Sequence, residues 1–218
     1  MIDYIVQSYL SSDVDACFQF RTAKATTRFR KAIDDGFIQF TSDGHKDLFL
    51  QALASPDYSL EEKLIILFWQ LAYSNALFSE ITDNVYLRAL YAGRTSIKSD
   101  DVLAYIHHLK TQYPDEFTWS EQTIKITASK YLTMLKKLGL ADGKIQKELR
   151  SPHISSGLFV YLVKFALLSH PEENTLNNPM FRFSFLEQTS IINRLKAIEY
   201  ITLWDITQIG SNITITLK

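Results

Sequence analysis

The chain has 218 residues, 46% of them hydrophobic and 22% charged, with 23 Lys and Arg against 24 Asp and Glu for a net charge of −1. That is chain enough for one large domain or two to three small ones, and apolar enough to bury a real core. Only seven Gly and five Pro are present, against fourteen Phe and eleven Tyr, which disfavours a loop-rich or all-β protein and predicts helices with few, short connections around an aromatic-rich core.

The first segment, residues 1–44, reads as two helices. Ile2, Ile5, Val6, Tyr9 and Leu10 recur at the spacing of a buried helical stripe, and Ser11-Ser12-Asp13 breaks it. A second helix is predicted over residues 22–35, closed by Gly36. Residues 45–117 read as a helical bundle. A short helix over 45–54 precedes the turn at Ser55-Pro56-Asp57, and Ser59 caps a helix whose apolar face runs from Leu60 to Leu77. Further helices follow over 81–91, ending at Gly93, and over 100–113, beginning behind Ser99.

The third segment is residues 118–218. Thr118-Trp119-Ser120-Glu121 reads as a capping box opening a helix over 119–138. Ile124, Ala128, Tyr131, Leu132, Leu135 and Leu138 give that helix a clean apolar stripe, and Gly139 closes it. Asp142-Gly143 is a hairpin-turn signal, so a short β-hairpin is expected over 139–148. Beyond it come a buried helix over 156–169, an exposed loop over 170–179 and a helix over 185–197. Period-two, β-branched sequence over 200–217, with a turn at Gly210-Ser211-Asn212, predicts a second hairpin. The fold class is mainly α with two short hairpins, and the helix, tight turn and short hairpin over 119–148 resemble the last helix and wing of a winged helix.

Catalytic and metal motifs are missing from the sequence. No GxGxxG, P-loop, GxSxG or HExxH occurs. His107 and His108 are adjacent, about 100° apart on a helix, and so cannot share a metal as an i, i+4 pair would. The carboxylate pairs Asp34-Asp35, Glu61-Glu62 and Asp100-Asp101 fall at predicted helix ends, where capping accounts for them. Cys17, the single cysteine, excludes an internal disulfide and a zinc ribbon and implies a reducing compartment. No basic-then-apolar leader opens the chain, and the apolar runs at 64–69 and 158–168 fall short of the roughly 20 residues of a membrane span. A non-enzymatic cytoplasmic protein with no cofactor, no metal and no membrane contact is expected.

Charge distribution says more than net charge. Residues 45–117 carry six Lys and Arg against ten Asp and Glu, while residues 118–150 carry seven against three. Lys125, Lys130, Lys136 and Lys137 fall off the apolar stripe of the 119–138 helix together with Thr123, and Lys144, Lys147 and Arg150 extend the charge through the hairpin. No acid lies between Glu121 and Asp142. Lysines neutralise phosphates and release counterions, and small polar residues donate to phosphates or base edges. A second basic run, Arg21, Lys24, Arg28, Arg30 and Lys31, holds no acid and offers arginines that can bind guanine bidentately. Double-stranded DNA is the expected partner. The lysine helix is a phosphate-contacting element, and the arginines are the better base readers.

The order of these features resembles the BrxA family, small accessory proteins of the BREX phage-defence systems. The resemblance rests on the Arg21-Thr22-Ala23-Lys24-Ala25-Thr26-Thr27-Arg28 run, Ile65-Ile66-Leu67-Phe68-Trp69 and Ala76-Leu77-Phe78. Trp119-Ser120-Glu121-Gln122-Thr123 leading into Leu135-Lys136-Lys137-Leu138-Gly139-Leu140, then the terminal hairpin, complete it. It implies a non-enzymatic helical protein with helix-turn-helix or winged-helix elements, the former in residues 1–44, a middle similar to NusB-type bundles, DNA binding, and work beside the other BREX proteins. Two alternatives stay open: RNA binding of the NusB sort, and a protein-interaction adaptor within the defence complex.

Overall fold

Short polar side chains set where the helices begin, because each helix opens with N–H groups that have no partner inside it. The computed structural model describes residues 1–10, 22–210 and 212–218, and these form a mainly α chain with short antiparallel strand pairs. The expected break at Ser11-Ser12-Asp13, Cys17, Arg21 and the middle of the turn at Ser211 lie outside the described residues.

Three helices come first: α1 (Ile2–Leu10), α2 (Ala23–Phe37) and α3 (Asp43–Ala54). Thr22 and Ser42 cap α2 and α3, accepting from the N–H groups of Ala25 and His45 at 3.2 Å each. Gly36 lies buried inside α2 rather than beyond it: its backbone stays helical, so the helix ends at Phe37. Next is α4 (Leu60–Ser74), which opens on a reciprocal capping box. Ser59 Oγ accepts from the Glu62 N–H at 3.2 Å, and the Glu62 carboxylate accepts from the Ser59 N–H at 2.8 Å. Asn75 caps α5 (Ala76–Ile81), which runs through a π-helical turn (Thr82–Leu87) into α6 (Arg88–Tyr91). The chain then turns at Gly93, whose φ of +72° suits glycine.

Strand β1 (Ser96–Ile97) leads into α7 (Ser99–Gln112) and α8 (Glu121–Lys137), followed by β2 (Ala141–Asp142) and β3 (Lys147–Leu149). After these come α9 (Ser156–Ser169), a 3-10 turn (Pro179–Phe183), α10 (Gln188–Leu195), β4 (Trp204–Ile209) and β5 (Asn212–Leu217). Both predicted hairpins are present, β2 with β3 and β4 with β5.

Two compact units are present, Met1–Ile66 with His153–Lys218, and Leu67–Pro152. The three segments read from composition (1–44, 45–117 and 118–218) follow chain order, whereas the first of these units joins the two ends of the chain. Within it α3 packs against α1 and α9. Phe49, Leu50, Leu53, Phe159, Leu162 and Phe165 are buried there. The His45 ring meets Phe165 edge-on at 5.0 Å, and Tyr161 stacks on Phe165 at 5.8 Å. Trp204, at the start of β4, is buried and donates its indole N–H to the Leu195 carbonyl at 2.9 Å.

The expected exposed loop over 170–179 is instead partly built into this unit. Asn178 is buried, and its side-chain amide donates to the carbonyls of Ala166 (2.9 Å) and Glu173 (2.7 Å). The polar composition that reads as a loop supplies here the donors that buried carbonyls need. Among the described residues no single helix is long and apolar enough to cross a membrane.

Candidate nucleic-acid interface

The second unit holds the lysine-rich helix, and its geometry starts from α8. Ser120, not Thr118, caps that helix: Ser120 Oγ accepts from the Thr123 N–H at 3.2 Å, and the first helical residue is Glu121. The Glu121 carboxylate therefore points at Lys110 (3.6 Å) and His107 (3.3 Å) instead of back to residue 118. The Lys110 ammonium also donates to the Trp119 carbonyl at 2.8 Å, tying α7 to the start of α8.

Ile124, Ala128, Leu132, Leu135 and Leu138 are buried as their spacing predicts, and α8 packs on α7 and β2. Tyr131 is buried on the same stripe, and its hydroxyl donates to Thr82 Oγ1 at 3.3 Å. The opposite face of α8 carries Thr123, Lys125, Lys130, Lys136 and Lys137, all exposed. Ile126 lies in the middle of that polar face and is 43% exposed.

The three strands form one antiparallel sheet in the order β1-β3-β2, with Ser96 opposite Glu148 and Ala141 opposite Leu149. Their element order is thus strand, two helices, then a hairpin whose second strand pairs with the first strand. Tyr86, fully buried on the π-helical turn, presents its hydroxyl to the carbonyls of Leu140 (3.2 Å) and Arg150, which flank the hairpin. Burial holds the Tyr86 hydroxyl protonated, raising its pKa well above the usual tyrosine value.

The basic residues of this unit have different fates. Lys136 (3.5 Å) and Arg150 (2.9 Å) both face the Asp142 carboxylate. A hydrogen bond from the Gly143 N–H, then Lys136 and Arg150, lowers the Asp142 pKa below the usual value. Lys147 is only 8% exposed and turns inward, donating to the carbonyls of Gly143 (3.1 Å) and Lys144. Its place on β3 makes it part of the hairpin's scaffold. Lys125, Lys130, Lys137 and Lys144 make no ion pair among the described residues.

The second basic run sits on the other unit. Lys24, Arg28 and Lys31 are exposed on α2, Arg30 is half-buried, and Arg21 is outside the described residues. The carboxylates set aside as helix caps are that in two places: Glu62 at Ser59, and Asp101, which accepts from the Lys98 N–H at 2.7 Å and pairs with Arg94 at 2.9 Å. Among the described residues no group of three or more His, Cys, Asp or Glu side chains comes together as a metal site would.

Two features of this unit lie outside the sequence reading. One is Ile145, at the tip of the loop between β2 and β3 and 92% exposed; an apolar residue inside a polar hairpin loop is its only signal. The other is a groove of about 970 Å³ between the π-helical turn and α7. On its wall Glu80 accepts from the Tyr105 hydroxyl (2.8 Å) and the Asn84 amide (3.1 Å), while Tyr113 lies half-exposed at its rim.

No curated protein and no solved structure matches the chain. A family model does: that of BrxA, over residues 45–166. The match takes in most of α3, α4 to α8, the three-stranded sheet and most of α9. Because it spans more than half of the 218 residues, the chain belongs to the BrxA family and is a BREX-associated protein.

Proposed function

We propose that this protein is a non-catalytic DNA-binding accessory factor of a BREX phage-defence system, holding duplex mainly through phosphates. The observation that carries the reading is the order β1-α7-α8-β2-β3 with the sheet order β1-β3-β2. We read this order as that of a winged helix, with α8 as its recognition helix and the loop between β2 and β3 as its wing. Lys125, Lys130 and Lys137 on α8 and Lys144 on the wing are then the phosphate contacts. Thr123 and Ile126 lie on the same exposed face, where a hydroxyl can meet a base edge and an aliphatic group a thymine methyl. On α2, Lys24, Arg28 and Lys31 offer a second set of phosphate contacts.

A titration of labelled duplex by fluorescence anisotropy across a salt series tests this. Binding with a steep salt dependence supports the reading, and no binding at low salt removes it. Competition with structured RNA separates the RNA alternative, because the deep, narrow major groove of A-form helices does not admit a recognition helix. A second reading is favoured by the groove beside α7, with its exposed aromatic rim: docking of a protein partner of the defence complex there. A pull-down that persists at high salt without nucleic acid, and that Tyr113→Ala abolishes, would support it.

A further inference from the structure

The loop between β2 and β3 is built to hold its tip still. Gly143 has φ +90°, and a Cβ added there would lie 2.4 Å from the Gln146 carbonyl oxygen, so only glycine fits the turn. The Asp142 carboxylate accepts from the Gly143 N–H at 2.7 Å, and the Lys136 ammonium donates to the Gly143 carbonyl at 3.3 Å. From below, the Lys147 ammonium clasps the Gly143 and Lys144 carbonyls. Gln146 is fastened to β1 by a hydrogen bond from its amide to Ser96 Oγ. Both ends of the loop are anchored, and what it holds outward is Lys144 and Ile145, the latter 92% exposed.

Single exposed apolar residues are common on protein surfaces, but Ile145 is the most exposed of the large apolar side chains among the described residues, and its loop is braced so that it cannot fold back onto the protein. The neighbours of Ile145 along the loop, Lys144 and Gln146, are polar and exposed, so the loop tip presents one apolar side chain rather than the apolar cluster that anchors a protein interface. One apolar group beside one unpaired cation fits duplex DNA, whose minor groove accepts aliphatic wedges between base steps while a flanking lysine meets the phosphate. We propose that Ile145 is such a wedge: it enters the minor groove next to the segment held by α8, partly unstacks a base step and kinks the duplex. The preferred sites are flexible pyrimidine–purine steps such as TA, which open at the lowest cost. This rests on the winged-helix reading of α8 and its hairpin.

The test uses the full chain and a short duplex rich in TA steps, with 2-aminopurine replacing several adenines and a fluorophore pair at its ends. At saturation the wild type should raise 2-aminopurine fluorescence and shorten the end-to-end distance. Ile145→Ala and Ile145→Ser should lose both signals yet still bind at low salt. Their affinity should fall by no more than about tenfold, since the cost of unstacking disappears together with the wedge. Ile145→Leu should keep both signals. The wedge is overturned if Ile145→Ala unstacks and bends the duplex as the wild type does, or if saturating wild type does neither. Failure of the underlying reading looks different: no anisotropy change at low salt with any duplex. Folding does not confuse the result, because Ile145 buries almost nothing in the protein.

Discussion

The buried hydroxyl of Tyr86 donates to the carbonyl of Leu140 across 3.2 Å, although 54 positions separate the two residues in the chain. The same hydroxyl reaches the Arg150 carbonyl, and the Arg150 N–H donates to the Leu140 carbonyl at 2.9 Å. One phenol on the π-helical turn thereby closes the base of the β2-β3 hairpin. Tyr86→Phe should cost about 1 kcal/mol, the net contribution of a typical hydrogen bond, because the Leu140 carbonyl keeps the Arg150 N–H as a donor. Urea unfolding would measure the loss, and amide exchange should show it concentrated at residues 140–150. Unchanged exchange there would mean that the hairpin stands without the phenol.

The lysines without ion pairs should be separable from those the fold uses. Replacing Lys125, Lys130 and Lys137 with Gln should reduce the slope of log affinity against log salt by about 0.9 for each phosphate that is no longer neutralised. Thermal unfolding should stay close to wild type, because all three side chains are exposed. A slope that does not move would place the phosphate-binding side chains elsewhere, with α2 the next candidate.

Lys144 and Lys147 make a sharper pair. Lys144→Gln should lower the salt slope by about 0.9, the share of a single phosphate, and leave stability alone. Lys147→Met should do the reverse, because its ammonium serves the Gly143 and Lys144 carbonyls. Both substitutions remove one positive charge, so net charge alone cannot produce the difference. Equal effects on the slope would show that Lys147 swings outward when DNA binds.

Acid should loosen the β2-β3 hairpin only well below neutrality. The Asp142 carboxylate has a folded-state pKa lowered by the Gly143 N–H, then Lys136 and Arg150. A lowered folded value means that the ionised carboxylate contributes its stabilisation above the unfolded pKa of about 3.9 and loses it as pH falls through the lower folded value. The Gly143 amide resonance should therefore hold its position from neutral pH down to about 4 and shift only below that. In Asp142→Asn that low-pH transition should be gone. A Gly143 shift already complete at pH 5 would contradict the hydrogen bond.

Much of the helical scaffold is legible in the sequence because its signals are local. The stripe from Ile124 to Leu138, the apolar run that forms α9 and the Asp142-Gly143 turn are each written in consecutive residues, and the structure uses each of them. Thr118 and Ser120 are both competent caps within three positions, and only packing against Lys110 and His107 settles on the second. β1 has two residues and no periodicity of its own; it becomes a strand through pairing with β3 about 50 positions later. The site is legible in part for the same reason. The angle on a helix correctly gives the exposure of Lys125, Lys130 and Lys137. No such rule shows that Lys147 turns inward, or that Asp142 occupies two of the basic side chains. Ile145 does not stand out in the sequence, because an isolated apolar residue in a loop acquires meaning only when the loop around it is seen to be braced.

The division of the chain into units also bears on the order in which the protein assembles during synthesis. Leu67–Pro152 is contiguous, so its sheet and helices have all their partners once residue 152 has left the ribosome. The other unit needs His153–Lys218 to supply α9, which packs against α3. Until then Phe49, Leu50 and Leu53 wait without α9, an apolar face of the kind that chaperones hold. A nascent chain stalled near residue 152 would therefore carry a finished candidate DNA-binding unit tethered to an unfinished partner.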